Sequence, residues 1–228
     1  MRSVPTVMRE WSLTDFQALN QGIYGVQNDR NFEAADMASR IHSYITRVLK
    51  AVRKNNTEHA CYHLAMGFSW SLALANRLHI NLDDQMWERF PGYCPYCLKT
   101  PCSCKERAEE RGQRQPIGER PTTLRQFQNM LRGIYPNNTL KDAAMHLAEE
   151  SGELGENVEF FRGTHDPEHF NEIVIELVDV VTNICAVASC LGVDLAVEME
   201  HNMGDGCPKC HESPCGCGYT VAKSVSIR

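Results

Sequence analysis

Two kinds of residue in this chain could do chemistry: carboxylates at helical spacing and cysteines in tight clusters. The stretch HLAEESGELGE, residues 146–156, carries four carboxylates in eleven residues. Glu150 and Glu153 stand i, i+3, with Glu149 beside them, so they share one helix face. A Glu-rich helix taken alone is most often a solvated face. The stretch EIVIELVDVVTNICAVASCLG, residues 172–192, changes that reading, because it is apolar almost all round and predicts a helix buried in a bundle. Through it Glu172, Glu176, Asp179 and Asn183 recur at spacings of four, three and four, a single polar stripe. Unpaired carboxylates inside a bundle cost about several kcal/mol each, so something must compensate them. Few basic residues lie nearby in the sequence. Two helices each presenting a carboxylate pair could hold a divalent cation between them, and hard oxygen donors favour Mg²⁺ or Mn²⁺. A di-iron bundle is a rival, but that design uses Glu-x-x-His pairs, and no His accompanies these carboxylates.

Eight of the eleven cysteines form two C-x2-C-x4-C-x-C clusters: Cys94, Cys97, Cys102, Cys104, and Cys207, Cys210, Cys215, Cys217. Four thiolates at this spacing can close a tetrahedral Zn²⁺ shell, and the intervening Pro and Gly permit the turns. With no open coordination position the role is structural, giving two Zn²⁺ per chain. An iron–sulfur cluster is the rival, although the spacing departs from the ferredoxin patterns. Cys61, Cys185 and Cys190 lie in apolar helices and read as core.

The elements that must position these residues come in two copies. FQALNQGIY at 16–24 matches FQNMLRGIY at 127–135, an offset of 111. CPYCLKTPCSC at 94–104 matches CPKCHESPCGC at 207–217, and LHINL at 78–82 matches LGVDL at 191–195, both at 113. The predicted helices of the first copy are 13–28, 32–54 and 58–80, and those of the second are 124–135, 139–162 and 167–191. Each third helix is followed by a short helix and a cysteine cluster. Asp166 and Pro167 form a helix start and Gly192 a stop. No segment alternates with period two, so the fold class is all-α. The domain reading is a unit at 1–104, a polar linker at 105–121 and a unit at 122–228, each unit a helical bundle with its own zinc knuckle and the two related by a pseudo-twofold.

The chain has 228 residues, 43% hydrophobic and 23% charged, enough for a real core. Its net charge of −6 argues against a general nucleic-acid binder. No run approaches the 18 or so apolar residues of a membrane span, and MRSVPTVMREWS lacks an apolar signal core. The expectation is a cytoplasmic protein bound to no membrane, in a reducing compartment where clustered cysteines bind metal.

EESGE, twenty-two intervening residues and then ELVD resembles the EExxE…ExxD signature of the MazG-like all-α nucleoside triphosphate pyrophosphohydrolases, a superfamily that includes the dCTP pyrophosphatases and dimeric dUTPases. The likeness spans roughly residues 124–203. It implies that Glu150, Glu153, Glu176 and Asp179 bind Mg²⁺, and that Glu149 orients or activates the attacking water. It also implies a polar substrate contact at Asn183 and a base-stacking aromatic at Phe160, which reads equally well as core. Relatives place Lys or Arg on the fourth helix, but AVEMEHNMGDG at 196–206 has none, so Lys141, Arg162 or a basic side chain from the first copy must meet the triphosphate. The implied activity is Mg²⁺-dependent conversion of a (d)NTP to (d)NMP and pyrophosphate. The alternative is a non-catalytic nucleotide-sensing or zinc-docking protein. The family's sites form between paired subunits, which two fused copies would supply within one chain; the assembly expected is a homodimer.

The first copy lacks this chemistry. At the repeat offsets Glu150 and Glu153 correspond to Ser39 and His42, and Glu176 and Asp179 to His63 and Met66. His59, His63 and His42 could form a transition-metal site, but histidines in a decayed copy are the plainer reading.

Overall fold

Among the described residues, seven of the eight α-helices begin where a side chain accepts one of their free N–H groups. Ser12 opens α1 (Leu13–Asn31), Asn56 opens α3 (Thr57–Arg77) and Asn81 opens α4 (Leu82–Arg89). Thr123, Thr139, Asp166 and Asp194 do the same for α5 (Leu124–Ile134), α6 (Leu140–Thr164), α7 (Pro167–Leu191) and α8 (Leu195–Met203). At the start of α2 (Ala34–Arg53), the Asp36 carboxylate accepts from the Glu33 N–H. Pro167 takes the first position of α7, and Gly192 ends that helix in the left-handed region at φ 74°, where a side chain would be strained. The computed structural model describes residues 7–104 and 115–217, and among these every regular element is helical, eight α-helices and one 3₁₀ turn at Val7–Glu10. Most of the expected linker, residues 105–114, lies outside the described residues.

The four long helices make the centre. α2 packs on α3, α6 on α7, and the two pairs meet through α2 against α6 and α3 against α7. α1 covers α3 and α5 covers α7. The short helices cross over: α4 lies against α7, and α8 against α3. The halves therefore do not stand apart as separate units; each contributes its fourth helix to the other's bundle. The two residues gained by the second half are taken up around the start of α7, which begins earlier than α3 relative to the matched core positions.

Contacts recur in pairs at the repeat offsets. Gln17 donates to the Ile80 carbonyl and accepts from the Leu82 N–H, at 2.9 and 3.0 Å. Gln128 donates to the Val193 carbonyl and accepts from the Leu195 N–H, at 2.8 and 3.1 Å. A buried amide that satisfies both a carbonyl and an N–H holds the α3–α4 and α7–α8 corners in place. The Cys102 N–H donates to Ile134 of the second half, and the Cys215 N–H to Ile23 of the first, both at 2.7 Å. Each cysteine knuckle is thus fastened to the opposite half's first helix, the first at the end of α5 and the second midway along α1. The expectation that a knuckle closes its own bundle is corrected on this point, because the fourth helix carries the knuckle across with it.

α7 is long and apolar enough to cross a membrane by length and composition, with a mean hydropathy of 1.9 over its best window. This corrects the expectation that no stretch approaches that limit. Here 61% of that window is buried inside the fold, because α7 is surrounded by α3, α4, α5 and α6.

Candidate functional site

Glu150 on α6 and Glu176 and Asp179 on α7 converge, each offering a carboxylate oxygen within 4.8 Å of the other two. The helix pairing accounts for it: α6 and α7 are antiparallel neighbours, and the i, i+3 spacing of Glu176 and Asp179 turns both towards α6. Asp179 is 7% exposed. Glu176 Oε2 is buried without a hydrogen-bond partner. Burial pushes Glu176 up to about 8, with the neighbouring Glu150 carboxyl, Glu153 and Asp179 adding to it. Burial also raises Glu150, partly offset by its hydrogen bond with Glu176. Carboxyl groups this close disfavour a second negative charge, which adds to burial in raising both. An orphaned oxygen in an all-oxygen cluster is what a hard divalent cation would satisfy, so the donor set fits Mg²⁺.

Glu153 and Glu149 stand outside that cluster. Both are exposed; Glu153 contributes charge to Glu150 and Glu176, and Glu149 meets His146 at 3.2 Å. Glu172, the first member of the expected stripe, is exposed too. Asn183 lies one turn beyond Asp179, half-buried, with its Nδ2 donating to the Asp179 carbonyl at 3.0 Å.

Few basic residues lie near the acidic stripe in the sequence, but the first half brings one to it: Arg89, at the end of α4. Its guanidinium forks onto Asp179, Nη2 to Oδ2 at 2.8 Å and Nε to Oδ1 at 3.3 Å. Burial alone would disfavour the charge on Arg89, but Asp179 outweighs it and the guanidinium is held firmly protonated. Arg89 also donates to the Tyr96 hydroxyl at 3.0 Å and lies over that ring. Tyr96 belongs to the first knuckle, so the knuckle holds Arg89 and Arg89 holds Asp179. One signal was legible in the sequence: Arg89 corresponds to Asn202 in the second half, at the fourth-helix position where the base was missing.

The cluster opens onto a cleft of roughly 420 Å³. Its walls include Glu150, Asp179 and Asn183 from the second half, with Arg132 and Tyr135 at the end of α5 and Cys94, Tyr96 and Cys104 from the first knuckle. Three expected substrate contacts are not in it. Phe160 is 47% exposed beside His169, Arg162 pairs with Glu159 at 2.7 Å on the surface, and Lys141 is exposed on the first turn of α6. Lys141 and Arg162 stand on the exposed side of α6, and Phe160 meets the first turn of α7, away from the cleft. Cys190 is another correction, half-buried in the cleft wall with its thiol donating to the Asn138 carbonyl, whereas Cys61 and Cys185 are buried as expected.

Both cysteine clusters close. Within each, the four Sγ atoms lie within 4.8 Å of one another, and all eleven cysteines are free of disulfides. In the second knuckle Cys207–Cys217 and Cys210–Cys215 stand at 3.9 and 3.8 Å. In the first, Cys97–Cys102 is 3.8 Å, with Cys94–Cys104 at 3.5 Å and Cys102–Cys104 at 3.1 Å. Four ligands at about 2.3 Å from one Zn²⁺ make a tetrahedron with edges of about 3.8 Å. A polynuclear iron–sulfur cluster interposes bridging sulfides and spreads its thiolates farther. The clusters therefore suit single ions such as Zn²⁺. Burial raises Cys97 and Cys207, but backbone N–H groups outweigh it and bring them down to about 7 and about 6. The Tyr135 and Tyr24 hydroxyls hydrogen-bond to Cys94 and Cys207, one from each opposite half, supplying outer support to the thiolates.

In the first half the matching positions bring no carboxylates together. His42 meets Ser151 at 3.0 Å, Ser39 is exposed, and His63 packs among Tyr44, His59 and Tyr62 with burial lowering its basicity. Among the described residues these histidines form no metal cluster. Compared with protein-family models, with curated proteins and with solved structures, the chain has no match.

Proposed function

We propose that this chain is a duplicated, MazG-like pyrophosphohydrolase whose halves are related by a pseudo-twofold, with the acidic cleft as its catalytic site. The reading is supported most by one observation: a carboxylate trio, with Asp179 buried and Glu150 and Glu176 half-buried, has an unpartnered Glu176 oxygen beside a cleft that also holds the Arg132 guanidinium. The contacts that recur at offsets of 111 and 113 support the duplication.

Glu150, Glu176 and Asp179 would hold Mg²⁺, with Glu153 close by on the rim. When bound, the cation neutralises phosphate charge and lowers the pKa of a water. The reaction forms a bond from a water oxygen to the α-phosphorus and breaks the bond from that phosphorus to the bridging oxygen, so pyrophosphate leaves. The exposed carboxylate of Glu149 or Glu153 takes the water's proton. Arg89 can exchange one carboxylate oxygen pair for a phosphate pair, since its fork suits both. Arg132 at the cleft mouth adds a second cation for the leaving group. Asn183 and Tyr135 meet the sugar and base.

A panel of canonical and damaged NTPs and dNTPs with Mg²⁺, assayed for pyrophosphate, tests this. Release of pyrophosphate that disappears in Asp179→Asn supports it; no turnover across the panel overturns it. The second reading, a nucleotide sensor without catalysis, is favoured by the Arg89–Asp179 pair, which already compensates one of the three carboxylates. Mg²⁺-dependent nucleotide binding without turnover would select that reading.

A further inference from the structure

The first half keeps a cleft where the second half has its acidic one. It measures roughly 260 Å³ and is walled by Tyr24, Phe32, Tyr44, Tyr62 and Trp70. Its far side is closed by Met203 and Pro208 from the second half, as the first knuckle closes the acidic cleft. At the repeat offset Met66 takes the place of Asp179 and Trp70 that of Asn183, so the phosphate-and-cation chemistry has been replaced by aromatic faces. Such walls are common in a hydrophobic core, but this space is open and contains a polar group that a core would not leave unmatched.

That group is Asn20. It is 1% exposed and lines the cleft. Its Nδ2 donates to the Ser69 carbonyl and the Ser69 hydroxyl, both at 2.9 Å. A carbonyl can only accept, so the amide orientation is settled and Oδ1 is the free atom. Oδ1 is buried and has no hydrogen-bond partner. An unmet acceptor on a residue of a cleft that also has aromatic walls calls for a flat molecule with an N–H on its edge. The cleft is smaller than a typical drug-sized pocket of about 300–1,000 Å³, which sets the ligand at the scale of a base or nucleoside. Arg40 and Arg47 lie over the Phe32 and Tyr44 rings at 5.7 and 5.0 Å, so those two faces are already taken, and Tyr62 and Trp70 are the rings tested for stacking.

We propose that the first half's cleft is a second ligand site, which binds a nucleobase or nucleoside by stacking and reads its edge N–H through Asn20 Oδ1. It needs no divalent cation, and it stands whether or not the acidic cleft hydrolyses anything.

Titration calorimetry of the zinc-loaded full chain with adenosine, guanosine, cytidine and uridine, in buffer without Mg²⁺, tests the proposal. Nucleosides carry no phosphate and give the acidic cluster nothing to hold. One of them should bind at one per chain. Tyr62→Ala should weaken it about tenfold, the scale of one lost stacking face, and so should Trp70→Ala. The same nucleoside with its edge N–H hydrogens replaced by methyl groups should also bind about tenfold more weakly, a readout that leaves the protein unaltered. Asn183→Ala, in the other cleft, should leave the affinity within twofold. Tyr62 is 41% exposed, so its truncation decides the matter even if Trp70→Ala fails to fold. The proposal is overturned if no nucleoside binds up to its solubility, if Tyr62→Ala binds as the parent does, or if Asn183→Ala abolishes binding.

Discussion

The two clefts of this chain are built on matching helices and face opposite chemistries. In the second half, α6 and α7 gather Glu150, Glu176 and Asp179, and the opposite half supplies Arg89. In the first half, α2 and α3 place Tyr44, Met66 and Trp70 around an amide. The side-chain amide contacts that hold each corner, from Gln17 and from Gln128, are nearly the same. The difference teaches that what carries the fold is the buried amide corners and the capped helices, while the cleft side chains are free to change. A carboxylate cluster costs stability unless a cation or base accompanies it, so a half that drops the charges is relieved of that cost.

The sharpest way to break the comparison is to exchange charge for shape in each cleft. On the proposed function, Asp179→Asn and Glu176→Gln should each lower pyrophosphate release by about a thousandfold or more, since each removes a charge from the proposed cation site at constant volume. His63→Ala and His42→Ala, at the matching first-half positions, should leave the rate per folded molecule within a few-fold. Loss of activity in folded His63→Ala or His42→Ala would give the first half a catalytic role and end the distinction.

The knuckles separate the halves in the opposite sense, because each serves the other side. Cys97→Ser should halve the zinc content from two ions to one per chain and, by loosening Tyr96 and Arg89, cut pyrophosphate release by at least about tenfold. Cys210→Ser should halve the zinc equally but disturb the cleft at Met203 and Pro208, leaving release within a few-fold per folded molecule. Elemental analysis together with the two rates checks this; equal losses of rate would show that the knuckles act through stability alone.

Arg89 and Asn202 occupy matching places on α4 and α8. Arg89→Gln strands the nearly buried Asp179 carboxylate and should cost about 1–3 kcal/mol in chemical denaturation, with a raised KM for nucleotide. Among the described residues the Asn202 side chain donates to the Glu198 carbonyl one turn back, so Asn202→Ala should change stability by no more than about 0.5 kcal/mol.

The smallest effect is a pH dependence confined to the acidic half. Glu176 lies at about 8, raised by burial from the ordinary carboxylate value of 4.5. A raised pKa contributes stability that is full below the unfolded value and is lost as pH rises through the folded one. The cation-free protein should therefore weaken between about pH 4.5 and pH 8, and Mg²⁺ should restore it. Glu176→Gln stays neutral, so at pH 9 it should melt about 3 °C or more above the cation-free parent, while at pH 4 the two converge. His63→Gln should reproduce none of this. Melting curves across that range, with and without Mg²⁺, are the check.

The helix count, the duplication of the cysteine spacing and the ends of α7 were legible in the linear chain because they are local: caps, a Pro at the first position, a Gly at the last and a repeat of residue types. The convergence of Glu150 with Glu176 and Asp179 was legible for a related reason, since two antiparallel neighbours with matched i, i+3 spacings have few other ways to meet. Read alone, the chain was enough for an all-helical fold, two four-cysteine clusters and three of the carboxylates now found together. Only the tertiary structure decided that the fourth helices cross between halves. That crossing brings Arg89 to Asp179 across 90 residues of chain, puts the first knuckle against the second half's cleft, and leaves Phe160, Arg162 and Lys141 facing solvent. No local propensity encodes it. Which helix covers α7 is settled by the apolar area of two complementary faces, a property of the whole packed bundle and of no segment alone.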